Sequence, residues 1–222
     1  MGDIFMKQNK RFLFPAFCAM LFILLTVILK TVDVGYVCGL ESKVGLSHLN
    51  GRAHCFFGQS ETWYEISEVT GYTAIACGGV FALTGVFQLI KRKSIFKVDR
   101  EIILLGCLYA ALAVIYVFFD KAVINCRPIT AFGETAADSS FPSSHTVLAA
   151  VVSGSAIMLL PKYIKKNILR HIISALVCAV GVITVVGRLL SGVHWFTDIL
   201  GSVFLSCFLL SLFGALIAKK QE

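Results

Sequence analysis

Three ionisable residues lie in the segment "GRLLSGVHWFTDILGS", between two long apolar stretches: Arg188, His194 and Asp198. His194 and Asp198 are four residues apart, so a helix would place both side chains on one face. The carboxylate could then accept a hydrogen bond from one ring nitrogen, fix the tautomer and leave a lone pair on the other nitrogen. This pattern predicts a histidine nucleophile, His194, oriented by Asp198.

A second polar segment, "FPSSHT", opens another apolar stretch. Proline favours the first turn of a helix, so Pro142 predicts that the amides of Ser143, Ser144 and His145 point out of a helix N-terminus. Such amides bind anions, because the positive end of the helix dipole lies behind them. His145 is then placed to act as a general acid that protonates a leaving oxygen.

Two arginines complete the predicted site. Arg127 lies in "DKAVINCRP" together with Lys121, and Arg188 lies in the segment described first. Arginine is always charged and binds phosphate oxygens through two donors at once. The residues therefore predict phosphoryl transfer, in which His194 attacks phosphorus and His145 protonates the leaving oxygen. Water would then hydrolyse the phosphohistidine, with His145 acting as the base.

The elements that must position these residues are membrane helices. Of the 222 residues, 57% are hydrophobic and only 15% are charged, which excludes an ordinary soluble domain. A helix needs about 20 apolar residues to cross a hydrocarbon layer of roughly 30 Å. Six stretches meet or approach that length: 12–29, 72–90, 102–119, 146–160, 172–186 and 199–218. We therefore expect an all-α polytopic membrane protein whose six transmembrane helices form one bundle and a single domain over residues 1–222.

The distribution of lysine and arginine predicts the orientation. Basic residues crowd the N-terminus, the C-terminal tail and two loops, "KRKSIFKVDR" and "KYIKKNILR". Basic loops face the cytoplasm, so both termini are expected there and the three polar segments at the extracytoplasmic face of the cell membrane. Binding to anionic lipids of the inner leaflet accounts for most of the net charge of +7 without a nucleic-acid partner.

The longest connection between spans covers residues 31–70 and contains "SETWYEISEVTG". Ser60 is a candidate helix cap, and Trp63 suits a membrane interface. This segment predicts either an amphipathic element on the outer surface or a plain connecting loop. Cys38 and Cys55 share the connection and can form a disulfide if the compartment is oxidising.

Three motifs resemble those of the type 2 phosphatidic acid phosphatase superfamily, membrane lipid phosphatases related to vanadium haloperoxidases. They are Lys121 to Arg127-Pro128, Pro142-Ser143-Ser144-His145, and Arg188-x5-His194-x3-Asp198. Their order, their spacing and the six-span layout also agree with that family. The resemblance implies metal-independent removal of phosphate from a lipid phosphate or diphosphate, without a cofactor. It assigns phosphate binding to the two arginines, Lys121, Ser143 and Ser144, and the roles of nucleophile and acid to the two histidines.

The sequence departs from the usual motifs at three positions. Five residues separate Lys121 from Arg127 where the family usually has six, and on a helix this rotates the lysine by about 100° relative to the arginine. Ser144 stands in place of a glycine, which preserves the backbone amide. Gly187 stands in place of a serine, so one possible hydrogen bond is lost but no charge.

Several alternatives compete with hydrolysis of a lipid phosphate. His145, His194 and Asp198 could ligate a metal ion, although Arg127 and Arg188 would repel a cation. A serine hydrolase would need a nucleophile elbow, and the sequence has no GxSxG. A non-catalytic phospholipid-binding protein, or a phosphotransferase, could use the same residues. The candidate substrates are phosphatidate, phosphatidylglycerol phosphate, polyprenyl diphosphate and phosphorylated lipid A, which share the same head chemistry.

Overall fold

The computed structural model describes residues 10–37, 43–129 and 139–218. Most of these residues lie in helices, which are α1 (Leu13–Thr31), α2 (Ser47–Phe57), α3 (Glu61–Arg92), α4 (Arg100–Lys121), α5 (Ser144–Tyr163), α6 (Asn167–Leu190) and α7 (Phe196–Ala218). Two short strands, β1 (Gly35–Tyr36) and β2 (Lys43–Val44), pair in antiparallel orientation. A short 3-10 helix, Ile95–Lys97, joins α3 to α4.

Six helices within the described residues, all of those above except α2, are long and apolar enough to cross a membrane. The prediction of an all-α bundle with six spans is therefore confirmed. The largest difference in bounds is in α3, which begins at Glu61 instead of Tyr72. Ser60 caps this helix, since its side chain accepts a hydrogen bond from the Trp63 amide at 3.4 Å. The polar segment after Ser60 is thus helical and continuous with the second span, so both alternatives, a separate surface element and a connecting loop, are wrong for this segment.

The central helix of the bundle is α5. It packs against α3, α6 and α7, and 56% of its apolar stretch is buried, compared with 17% for α4. Val147, Val151 and Leu159 of α5 share a core with Leu205 and Leu209 of α7. Large apolar side chains stay exposed on the outer faces of α1, α3 and α4, as a surface covered by lipid requires. The N-terminus of α5, where His145 lies, is therefore held by helices on several sides.

The connection between α1 and α3 reaches the start of α7. Gly45 approaches α1 so closely that a Cβ atom there would lie 1.9 Å from the carbonyl oxygen of Leu29, so only glycine fits. Asn50 in α2 donates hydrogen bonds to the Gly45 carbonyl and to the Thr197 hydroxyl, both at 2.9 Å. The helical element of this connection is α2.

Cys38 lies outside the described residues, so the disulfide predicted between Cys38 and Cys55 stays a prediction.

Candidate active site

The predicted catalytic residues lie at one end of the bundle. His145 lies in the first turn of α5, Arg188 in the last turn of α6 and Asp198 in the first turn of α7. His194 lies in the turn 191–195 between α6 and α7. A carboxylate from α3, Glu68, contacts both Arg188 and His145. Four helices therefore contribute to one cluster.

His194 is almost fully buried, with 3% of its surface exposed. Its Nδ1 atom lies 3.1 Å from the carbonyl oxygen of Ser140. A carbonyl can only accept, so Nδ1 carries the proton and Nε2 has the lone pair. Burial lowers the pKa of His194 well below its ordinary value of 6.5, and the charges of Arg127 and Arg188 lower it further. The ring is thus neutral, and one nitrogen has the lone pair that a nucleophile needs.

The pairing of His194 with Asp198 differs from the predicted one. Gly192, with a φ of +77°, turns the chain after α6, so His194 precedes α7 and does not stack with Asp198 on a helical face. Asp198 Oδ2 accepts a hydrogen bond from the Trp195 amide at 2.8 Å and lies 3.7 Å from His194 Nδ1. The carboxyl group of Asp198 therefore caps α7 and lies beside the imidazole, while the Ser140 carbonyl holds the tautomer.

The sequence predicted Pro142 in the first turn of α5, but Pro142 precedes this helix. Ser143 is the N-cap residue and the helix begins at Ser144. The four amides without an acceptor inside the helix are those of Ser143, Ser144, His145 and Thr146, which include the three predicted from the sequence. The Ser143 side chain makes no capping hydrogen bond, so its hydroxyl is free to bind a ligand together with the amides.

Arg188 has a partner that the motifs do not include. Glu68 Oε1 accepts a hydrogen bond from Arg188 Nη2 and lies 3.3 Å from His145 Nε2. One turn earlier on α3, the ring of Tyr64 has its centroid 5.1 Å from the guanidinium carbon of Arg188, which is within the range of a cation–π contact. The side chain of Arg188 is only 2% exposed. A buried guanidinium needs a counter-charge, and Glu68 supplies it.

Arg127 lies in the connection that follows α4, and hydrogen bonds hold this connection against the turn that carries His194. The indole Nε1 of Trp195 donates to the carbonyl oxygen of Cys126 at 2.7 Å. Trp195 itself is almost completely buried. Arg127 is near enough to His194 that its positive charge lowers the pKa of the imidazole. The arginine is therefore in electrostatic reach of the nitrogen that would meet a phosphate.

Lys121 is not brought into this cluster. It is the last residue of α4, its side chain is 81% exposed, and its ammonium lies 3.0 Å from the carboxylate of Asp120. The other candidate residues are buried or half-buried, so an ammonium that is so exposed lies outside the group they form. The geometry gives no support to phosphate binding by Lys121.

Several buried polar atoms in the cluster have no hydrogen-bond partner among the described residues. They are Nε2 of His194, Nε of Arg188, Oγ of Ser143, Oγ1 of Thr146 and Oδ1 of Asp198. Buried polar groups are rarely left unpaired, and the first four of these atoms combine hydroxyl and guanidinium donors with one imidazole lone pair. A tetrahedral oxyanion fits this set. Among the residues that the structure describes, no group of three His, Cys, Asp or Glu side chains lies close enough together to hold a metal ion.

Sequence reasoning does not identify three residues that organise the site. Asn50 accepts a hydrogen bond from the Thr197 amide at 3.2 Å, and Asn125 accepts one from the Gly45 amide at 3.0 Å. Asn50 lies in the short helix α2 and Asn125 in the connection after α4, and in neither segment does the sequence mark a buried polar residue. Glu68 is the third, and here a signal exists, because an acidic side chain next to a membrane-length apolar stretch is costly and usually has a function.

The fold of the described residues is a bundle of six membrane-length helices with a polar cluster at one end. The structure is similar to the crystal structure of a transmembrane PAP2-type phosphatidylglycerolphosphate phosphatase from Bacillus subtilis, with a TM-score of 0.68. That match covers 93% of this chain and 97% of the other, at 16% sequence identity. Residues 103–222 match the PAP2 superfamily, more than half of the chain. The chain therefore belongs to the PAP2 superfamily, and the resemblance drawn from its three motifs is confirmed. No curated protein sequence gives a significant match.

Proposed function

We propose that the chain is an integral membrane lipid phosphatase that hydrolyses a lipid phosphate through a phosphohistidine intermediate on His194. Membership of the PAP2 superfamily and six apolar helices support a phosphatase that acts at a membrane. The single observation that carries the mechanism is the state of His194. Its ring is buried, its Nδ1 donates to a carbonyl, and its Nε2 has no partner among the described residues.

In the first step, His194 Nε2 attacks phosphorus and the bond from phosphorus to the lipid oxygen breaks. His145 gives its proton to that oxygen, so the lipid leaves as a neutral alcohol. Arg127, Arg188 and the amides at the start of α5 bind the phosphoryl oxygens and stabilise the charge that builds up on them. Asp198, 3.7 Å from His194 Nδ1, balances the positive charge that develops on the imidazole.

In the second step, water attacks the phosphohistidine. His145, which has lost its proton, accepts one from the attacking water. The bond from phosphorus to nitrogen breaks, its electron pair returns to His194 Nε2, and inorganic phosphate is released. His145 therefore acts first as an acid and then as a base, and both histidines end the cycle in their starting states.

The substrate class is tested by measuring phosphate release from a panel of lipids in detergent. The panel contains phosphatidate, phosphatidylglycerol phosphate, a polyprenyl diphosphate and phosphorylated lipid A. Release of inorganic phosphate from at least one of them supports hydrolysis. Consumption of the lipid with transfer of its phosphate to an added lipid alcohol would instead identify a phosphotransferase, and binding without turnover of any lipid would contradict an enzyme.

Activity is expected to survive removal of divalent cations. The arginines and helix-terminal amides supply the positive charge that a metal ion would otherwise give to a phosphoryl-transfer site. Phosphate release should be unchanged in the presence of a chelator, and vanadate should inhibit, because it forms a five-coordinate mimic of the transition state. Activity that disappears with chelator and returns with added magnesium would contradict this mechanism.

We further propose that both termini lie in the cytoplasm and that the site faces the extracytoplasmic side of a cell membrane. The basic loops "KRKSIFKVDR" and "KYIKKNILR" support this orientation. A reporter active only in the cytoplasm, fused after Glu222, should be active. An inactive reporter, together with activity of a periplasmic or extracellular reporter at the same position, would reverse the orientation.

A further inference from the structure

We propose that Glu68 is a resident counter-anion of the phosphate site, which holds Arg188 until a phosphate takes its place and returns to Arg188 when the product leaves. The inference rests on the proposed phosphatase function. It adds to that function a residue outside the three motifs, on a helix that none of them includes.

The first argument is the position of one oxygen atom. Glu68 Oε1 accepts a hydrogen bond from Arg188 and lies 3.3 Å from His145 Nε2. Arg188 comes from the end of α6 and His145 from the start of α5. In the proposed mechanism these two groups bind a phosphoryl oxygen and the leaving oxygen. The carboxylate oxygen therefore occupies the place between them that a substrate oxygen would need.

The second argument is the charge of the site. Arg188 is buried, and a buried guanidinium without an anion is costly. Among the described residues, Glu68 is the acidic side chain that pairs with it. A phosphate monoester carries about two negative charges near neutral pH, so a carboxylate and a phosphate on the same guanidinium repel each other. Binding of a phosphoryl oxygen between Arg188 Nη2 and His145 Nε2 therefore requires Glu68 to withdraw.

The third argument is that the side chain can move while the helix behind it cannot. A Cβ atom at Gly187 would lie 2.8 Å from the Ser67 Cβ, and one at Gly71 would lie 3.2 Å from the ring of His145. The backbone of α3 is thus in close contact with α6 and α5 on both sides of Glu68. The Glu68 side chain is 22% exposed, so it is not enclosed by protein on all sides and has space to turn.

The expected consequence is weak binding of the product. Each time inorganic phosphate leaves, Glu68 restores the ion pair with Arg188. The buried guanidinium therefore always has an anionic partner. Removal of the carboxylate should therefore make anions bind more tightly. A residue that only positioned Arg188 and His145 would have the opposite effect, because its loss would disorder the phosphate-binding groups.

The test compares Glu68→Gln with Glu65→Gln. Glu65 lies one turn earlier on the same helix and is exposed. Its substitution by glutamine therefore removes one negative charge from the helix without changing the site. Binding of inorganic phosphate and of vanadate is measured by the shift in thermal unfolding of the purified protein in detergent, which needs no turnover. Glu68→Gln should bind both anions at least about tenfold more tightly than the wild type, by loss of a like charge beside the ligand, and Glu65→Gln should match the wild type.

Weaker or unchanged anion binding in Glu68→Gln would overturn the proposal, and so would equal tightening in both variants. Glu68→Asp, which keeps the charge on a shorter side chain, gives a second readout and should tighten binding less than Glu68→Gln. If no variant binds either anion, the counter-anion proposal fails. Hydrolysis of lipid phosphates by the wild type is measured separately, so failure of the phosphatase function is recognised as a different result.

Discussion

Replacement of His194 by alanine should abolish turnover of every substrate, whereas replacement of His145 should leave activity that depends on the leaving group. His194 supplies the nucleophile, and no other step can begin without the bond from its Nε2 to phosphorus. His145 supplies a proton, which is worth about 10²- to 10⁴-fold when the leaving group is a poor one. A lipid alcohol needs that proton, but nitrophenolate leaves without it.

The measurement uses a lipid phosphate and nitrophenyl phosphate as parallel substrates. His145→Ala should recover part of its loss on the nitrophenyl ester and should accumulate phosphoenzyme, because the base for the second step is also missing. His194→Ala should recover nothing and form no phosphoenzyme. His171→Ala is the matched control, since His171 is exposed on α6, and it should behave as the wild type. Equal recovery of both site variants would mean that the two roles are assigned wrongly.

Replacement of Asp198 by asparagine should reduce turnover by roughly a thousandfold while the tautomer of His194 is kept. The carboxylate lies 3.7 Å from Nδ1, and two unit charges about 4 Å apart attract each other by about 4 kcal/mol at an effective dielectric constant of about 20. That attraction is present only when the imidazole becomes positive. The Ser140 carbonyl, 3.1 Å from Nδ1, still accepts the proton of the neutral ring.

The protonation state and the tautomer of His194 in the Asp198→Asn variant are measured by NMR of ¹⁵N-labelled histidine. We expect the protein to retain a neutral His194 protonated at Nδ1 while turnover falls. Asp120→Asn is the control, because Asp120 pairs with the exposed Lys121 and should be dispensable. A change of tautomer in Asp198→Asn would show that Asp198, and not Ser140, fixes the ring. Turnover close to that of the wild type would contradict any role for the charge.

The six spans could be predicted because hydrocarbon thickness fixes the length of an apolar run, and this signal is local in the sequence. Ser60 was a candidate helix cap and does cap α3, but the continuity of this helix with the second span could not be predicted, because the residues from Glu61 to Gly71 are mostly polar. They are held in a helix by contacts with α5 and α6. Gly187 and Gly71 allow those contacts, but which helix lies opposite each glycine is decided by the whole bundle. Apolar periodicity carries no such information.

As with the fold, part of the candidate site could be predicted from the sequence and part could not. His145, Arg188 and Asp198 lie in two of the three motifs and in helices that meet at one end of the bundle. The partner of the imidazole was not predictable, since Gly192 adopts a positive φ and breaks the helical spacing that the interval of four residues suggested. Glu68 was missed for a related reason, because its role comes from a contact between helices distant in sequence.

The close approach at Gly187 limits any attempt to redesign this protein from the consensus of its family. The usual residue before Arg188 is serine, and a designer would restore it. A side chain at that position would meet the Ser67 Cβ at 2.8 Å and the Trp63 carbonyl oxygen at 3.1 Å, so α3 would have to move away from α6. The exchange of one motif residue would then separate Glu68 from Arg188. In this chain the third motif and the second span must be engineered together.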